Sequence, residues 1–222
     1  MRQRQQVPEQ ITASGANAVL VAPQFAVDAR DSSAGRFWQA GGFARFLDEA
    51  ASRLALAQGN PGLRERFRRM PIVLVAYSGG YLPAAYCLQD IAATNRVRGV
   101  VLLDAVYGEL DRYANWLADR PSAFLVSAYT RATQGRNAEL ERMLRQRGVA
   151  SDSGLGPDLS RGGGTFVATG ASATHTDYVT QAWTEHPIAD VLRRLPEFSL
   201  DRAALTASLG TRLAPRAALG EP

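Results

Sequence analysis

The 222-residue chain has no lysine, a single cysteine and only two histidines. One cysteine, Cys87, excludes an internal disulfide and any zinc site built from cysteines. With two histidines, any chemistry that needs an imidazole must use His175 or His186. No apolar run approaches the roughly 20 residues of a bilayer-spanning helix. The opening MRQRQQVPEQ lacks the apolar core of a secretory leader, so the expected location is the cytoplasm. The same stretch has neither cap nor turn and reads as the middle of a helix. The further expectation is therefore that Met1 lies inside a longer gene, whose missing piece is also where a leader would be.

The lack of lysine also bears on charge. All 25 basic residues are arginine, set against 21 acids, for a net charge of +4 and a pI near 9.6. A uniform bias of this kind points to base composition rather than to a nucleic-acid surface. The arginines are spread along the chain among the acids. The densest cluster, LRERFRRM at 63–70, is short, precedes a strand and reads as a solvated helix end.

What is present is alternation. Hydrophobic residues make up 46% of the chain and charged residues 21%, as in a globular domain with a sizeable core. Apolar runs at 18–22 (AVLVA), 72–77 (IVLVAY), 97–103 (VRGVVLL), 123–128 (AFLVSA) and 165–169 (TFVAT) read as strands. Between them, helices are expected over 8–14, 43–57, 80–93, 109–118 and 137–147, with a last one opening at Pro187 and a loop over 149–164. Strands without polar alternation, joined by helices, predict a parallel sheet of about five strands covered on both faces. Residues 1–199 are expected to form the domain and 200–222 a tail. The strand at 72–77 should be central. Its outer partner has no obvious source unless residues 1–12 pair with it, and each buried backbone group left unpaired costs roughly 1–3 kcal/mol.

The segment IVLVAYSGGYLPAAYCL carries the chemistry. A buried strand ends at Tyr77, Ser78 follows at once, and Gly79-Gly80 lead into a helix. Ala76 and Gly80, two residues either side of Ser78, permit a sharp turn that presents the hydroxyl above the sheet edge. This is a G-x-S-x-G elbow with alanine in the first glycine position. A serine nucleophile needs a base. His175, in ATHTDYV just past the last strand, lies on that edge; His186, directly before Pro187, reads as a capping or surface residue and is the runner-up. Asp104, ending VVLLD, is the carboxylate best placed to orient the imidazole. RGGGTF at 161–166 lacks the Lys-Ser/Thr of a phosphate cradle and reads as a turn.

With AYSGG, LLDAVYG and ATHTDY in the order Ser, Asp, His, the chain resembles the α/β-hydrolase family over about residues 8–195. The stretch SGANAVLVAPQFAVDARDSSAGRFW is similar to the region around the fourth strand in a bacterial group of uncharacterised hydrolases of this fold. The resemblance implies a serine hydrolase acting on a small-molecule ester, thioester or amide through an acyl-enzyme. No cofactor or metal is expected. Gly79 N–H would supply one oxyanion donor. The family's second donor follows its third strand, which has no counterpart here; Gln24 or Phe25 is the fallback. The family acid usually follows the seventh strand, where AFLVSAYTRATQGRN has no Asp and Glu139 lies inside the next helix; an acid after the sixth strand, as Asp104 would be, is a known variation. Only residues 105–121 separate the sixth and seventh strands, too few for a cap domain, so the site should be open. Phe25, Phe37, Trp38, Tyr81 and Tyr107 are the aromatic candidates for its lining. Two alternatives stay open: a non-catalytic binding module or inactive fragment on this fold, and a peptidase or acyltransferase with the same triad.

Overall fold

The computed structural model describes residues 2–25, 33–169 and 173–199; the tail expected over 200–222 lies outside them. Strands Ile72–Tyr77 (β1), Val97–Leu103 (β2), Phe124–Tyr129 (β3), Ser151–Asp152 (β4) and Gly163–Ala168 (β5) form one all-parallel sheet in the order β1-β2-β3-β5-β4. The helices are Arg2–Gln5 (α1), Val7–Ser14 (α2), Gly42–Ala57 (α3), Arg64–Arg69 (α4), Tyr81–Cys87 (α5), Ile91–Thr94 (α6), Leu110–Ala118 (α7), Gln134–Gln146 (α8) and Pro187–Arg193 (α9).

The largely apolar runs of β2 and β3 follow from burial on both sides. Val100, Leu102 and Leu125 pack with Phe43, Ala84, Leu117 and Leu140 of α3, α5, α7 and α8. Val101, Leu103 and Val126 pack with Val7, Ile188 and Val191 of α2 and α9. With both faces covered, polar residues in these strands are few: Arg98 near the start of β2, and the buried Ser127 of β3, whose hydroxyl donates to Asn137 Oδ1. Gly99 of β2 is paired with Phe124 of β3, and a Cβ on it would lie 2.1 Å from the Phe124 ring. Only glycine leaves room for that ring to lie across the sheet.

Four of the sequence expectations need correction. Residues 18–22 are not a strand. They run without regular structure, with Val19, Leu20 and Val21 at 43%, 38% and 40% exposure; nearby, Ala16 makes an isolated antiparallel bridge to Ser199. An apolar run becomes a strand only beside another strand, and none of the described strands lies next to this one. Second, among the described residues β1 is an edge strand, paired only with β2; residues 2–5 and 7–14 are helical and do not pair with it. Nor is β1 covered on both faces like a central strand: Val75 is 44% exposed. Third, the helix expected over 80–93 breaks after Cys87 and restarts at Ile91, where the Asp90 carboxylate accepts from the Ala92 N–H at 3.2 Å. Fourth, the loop expected over 149–164 contains β4 and the start of β5.

The arginine cluster at 63–70 is the solvated helix α4, with Arg64 and Arg68 on Asp48 and Arg69 on Glu65. No helix among the described residues is long and apolar enough to cross a membrane.

Candidate active site

Because the strands are parallel, β1, β2, β3 and β5 all end on one edge of the sheet, where loop residues converge. Ser78 follows β1, Asp104 follows β2, Thr130 follows β3, and His175 stands in the segment after β5.

Ser78 opens a single 3₁₀ turn, Ser78–Gly80, between β1 and α5. Its φ of 53° is left-handed, a conformation that side chains with a Cβ rarely adopt. The small residues on either side are not sterically forced: a Cβ on Gly80 would meet that of the buried Ala76 at 3.6 Å, an ordinary contact. Asp104 is also left-handed, with a φ of 45°. Only four non-glycine residues among those described have positive φ, so half of this strain sits at the two neighbouring strand ends. Such strain, of order 1–3 kcal/mol per residue, persists where the surroundings over-determine the conformation.

The surroundings of Asp104 do so. Its side chain is 1% exposed and its N–H donates to the Ala128 carbonyl at 2.8 Å. The carboxylate accepts from the Thr130 N–H at 3.1 Å, from the Thr130 hydroxyl at 3.0 and 3.1 Å, and from the Thr133 hydroxyl. Burial pushes its pKa up, but the hydrogen bonds from Thr133, His175 and Thr130 outweigh it and hold the carboxyl below the ordinary aspartate value.

His175 joins the two strained residues. Its Nδ1 is 2.6 Å from Asp104 Oδ2 and its Nε2 is 2.9 Å from Ser78 Oγ. With Asp104 ionised, Nδ1 carries the proton and donates to it, which leaves the Nε2 lone pair to accept from the serine hydroxyl. Tyr77 holds the histidine twice. Its hydroxyl donates to the His175 carbonyl at 2.8 Å, and its ring stacks on the imidazole at 5.0 Å. Tyr107 meets the imidazole edge-on at 6.4 Å. The His175 side chain is 41% exposed, so an incoming molecule can reach it.

The structure thus brings Ser78, His175 and Asp104 together. His186 lends its carbonyl to the Asp190 N–H at the start of α9 and takes no part in the chain to Ser78. Glu139 pairs with Arg136 on α8. Gln24 and Phe25 line a cavity that also reaches Gly79 and Gly80, and Gln24 Nε2 donates to the Phe25 carbonyl at 2.8 Å. Tyr81 lies 5.8 Å from Tyr107, beside the histidine. Trp38 is elsewhere: it is 53% exposed and packs against Tyr86 at 5.9 Å. Among the described residues no group of three or more His, Cys, Asp or Glu side chains could hold a metal ion.

Sequence reasoning missed Thr130, Thr133 and Tyr77. Thr130 and Thr133 stand in YTRATQ, directly after the strand beside Asp104, and only the strand order brings their hydroxyls to its carboxylate. Comparison with family models, with curated proteins and with solved structures found no match.

Proposed function

We propose that this protein is a serine hydrolase that cleaves a carboxylic ester, thioester or amide through an acyl-enzyme. One observation carries the reading: the continuous chain from Ser78 Oγ to His175 Nε2, at 2.9 Å, and from His175 Nδ1 to Asp104 Oδ2, at 2.6 Å, begins on a serine held in a strained turn. A serine that merely capped a helix would need neither the histidine nor the strain.

The proposed steps run along this chain of hydrogen bonds. Ser78 Oγ bonds to the carbonyl carbon as its proton passes to His175 Nε2. The carbon–leaving-group bond breaks as that proton passes to the departing oxygen, sulfur or nitrogen. Water then attacks the acyl carbon, again giving a proton to His175, and the acid departs as Ser78 is regenerated. Asp104 keeps the imidazole oriented and stabilises its charged form throughout. Gly79 N–H is the proposed oxyanion donor, with Gln24 or Phe25 as its partner on the cavity side. The proposed setting is the cytoplasm and the partner a small acyl substrate.

A fluorophosphonate probe tests this reading. It should label the chain at Ser78 alone, and p-nitrophenyl butyrate should be hydrolysed. Ser78→Ala should abolish labelling and lower turnover by ~10³-fold or more, and His175→Ala should act similarly while His186→Ala retains most activity. A folded chain that neither reacts with the probe nor loses anything on Ser78→Ala would instead be a binding module on this scaffold.

A further inference from the structure

On the helix side of the serine turn, starting one residue past Ser78, which does not itself line it, lies a cavity of about 750 Å³. It begins at Gly79 and Gly80, and Pro83, Phe25, Phe37 and Phe46 supply its apolar walls. Phe37 meets Phe25 edge-on at 5.6 Å and Phe46 edge-on at 5.4 Å, so one aromatic cluster stiffens the wall. Exposed Arg36, Arg45 and Glu49 line its solvent side. Neither His175 nor its neighbours Tyr77 and Tyr107 border it.

We infer that this cavity takes the acyl half of the substrate, and that the substrate is an ester of an apolar carboxylic acid well beyond acetate in length; the inference rests on the hydrolase reading above. The imidazole that receives the serine proton must deliver it to the leaving oxygen, so the alcohol half has to lie against His175 Nε2. That side is open, with His175 41% exposed. The acyl half must then extend the other way, past Gly79 and Gly80, where the cavity begins. Its size is that of sites that enclose whole small ligands, far more than an acetyl group fills. Phe46 is the specificity-determining residue, because it is the member of the aromatic cluster that lines the cavity from α3, next in sequence to Arg45 and one turn from Glu49 of the charged rim.

Rates on p-nitrophenyl esters from acetate to palmitate test this. The value of kcat/KM should rise roughly two- to fourfold per methylene from acetate and then level or fall once the chain reaches the charged rim. Phe46→Trp should lower the octanoate-to-acetate ratio about tenfold or more, and Phe46→Ala should move the optimum to longer acids. Changing the alcohol of an octanoate ester from p-nitrophenyl to methyl should leave the effect of Phe46→Trp on relative rates unaltered. Labelling at Ser78 with a flat acyl-length profile would overturn the pocket assignment alone. No labelling and no hydrolysis would overturn both readings. The wild-type profile decides the matter even if a Phe46 variant fails to fold.

Discussion

Two short apolar runs, AVLVA at 18–22 and IVLVAY at 72–77, are nearly the same sequence with different fates. The second is β1, paired along its length with β2, and it delivers Ser78 to the sheet edge. The first has no strand beside it and leaves Val19, Leu20 and Val21 partly in water. The difference lies in the partner rather than in the segment. VRGVVLL supplies β1 with a ladder, and α2 and α9 on one face and α3 and α5 on the other cover the sheet beyond it. Strand propensity describes a surface suited to pairing, and the pairing must come from elsewhere.

The comparison sharpens at the residues that each run leads to. Beyond β2, the Asp104 carboxylate takes hydrogen bonds from Thr130, Thr133 and His175, and the largest effect is expected there. Asp104→Asn keeps the shape and removes the charge, so turnover should fall by ~10²–10⁴-fold, read as kcat on a p-nitrophenyl ester. The substitution also changes the pH dependence of stability. The folded carboxyl lies below its ordinary value. Its contribution is therefore present above the unfolded pKa of about 3.9 and is lost as pH falls through the lower folded value. Melting temperature should drop less steeply below pH 4 in Asp104→Asn than in the parent. An equally steep drop would mean that Asp104 is not held ionised by Thr133, His175 and Thr130.

Thr133→Val comes next in size. It removes one hydroxyl donor from Asp104 while leaving His175 and Ser78 untouched. A kcat loss of roughly tenfold is expected, with about 1 kcal/mol of stability, because a buried acceptor loses one of several partners. Thr133→Ser, which restores the donor, should recover most of kcat. Rescue by serine separates orientation of the acid from simple packing.

Much of the site was legible because it follows from order along the chain. A parallel sheet puts strand ends on one edge, so Ser78 after IVLVAY, Asp104 after VVLL and His175 after TFVAT had to meet there. The hydroxyls of Thr130 and Thr133 were not legible as functional, since threonine after a strand is common and its role depends on which strand lies alongside. The order β1-β2-β3 makes Thr130 a neighbour of Asp104, and order within a sheet is a long-range fact. The same limit accounts for AVLVA and for the placing of 72–77 at the centre, since both expectations supplied partner strands that the described residues do not contain.

The smallest effect is expected in AVLVA itself, and it is the sharpest check on the comparison. Leu102 in β2 is fully buried, within the layer formed with Ala84 and Leu117. Leu102→Ala should cost about 2–5 kcal/mol, as for other buried leucines cut back to alanine. Leu20 is 38% exposed in a segment with no ladder. Leu20→Ser removes a similar apolar side chain but should change stability by no more than about 0.5 kcal/mol, the usual range for surface positions. Urea denaturation of both variants gives the two numbers directly. If Leu20→Ser cost as much as Leu102→Ala, residues 18–22 would be paired and buried in solution. The long open edge of β1 would then be the place for them, and the contrast between the two runs would collapse.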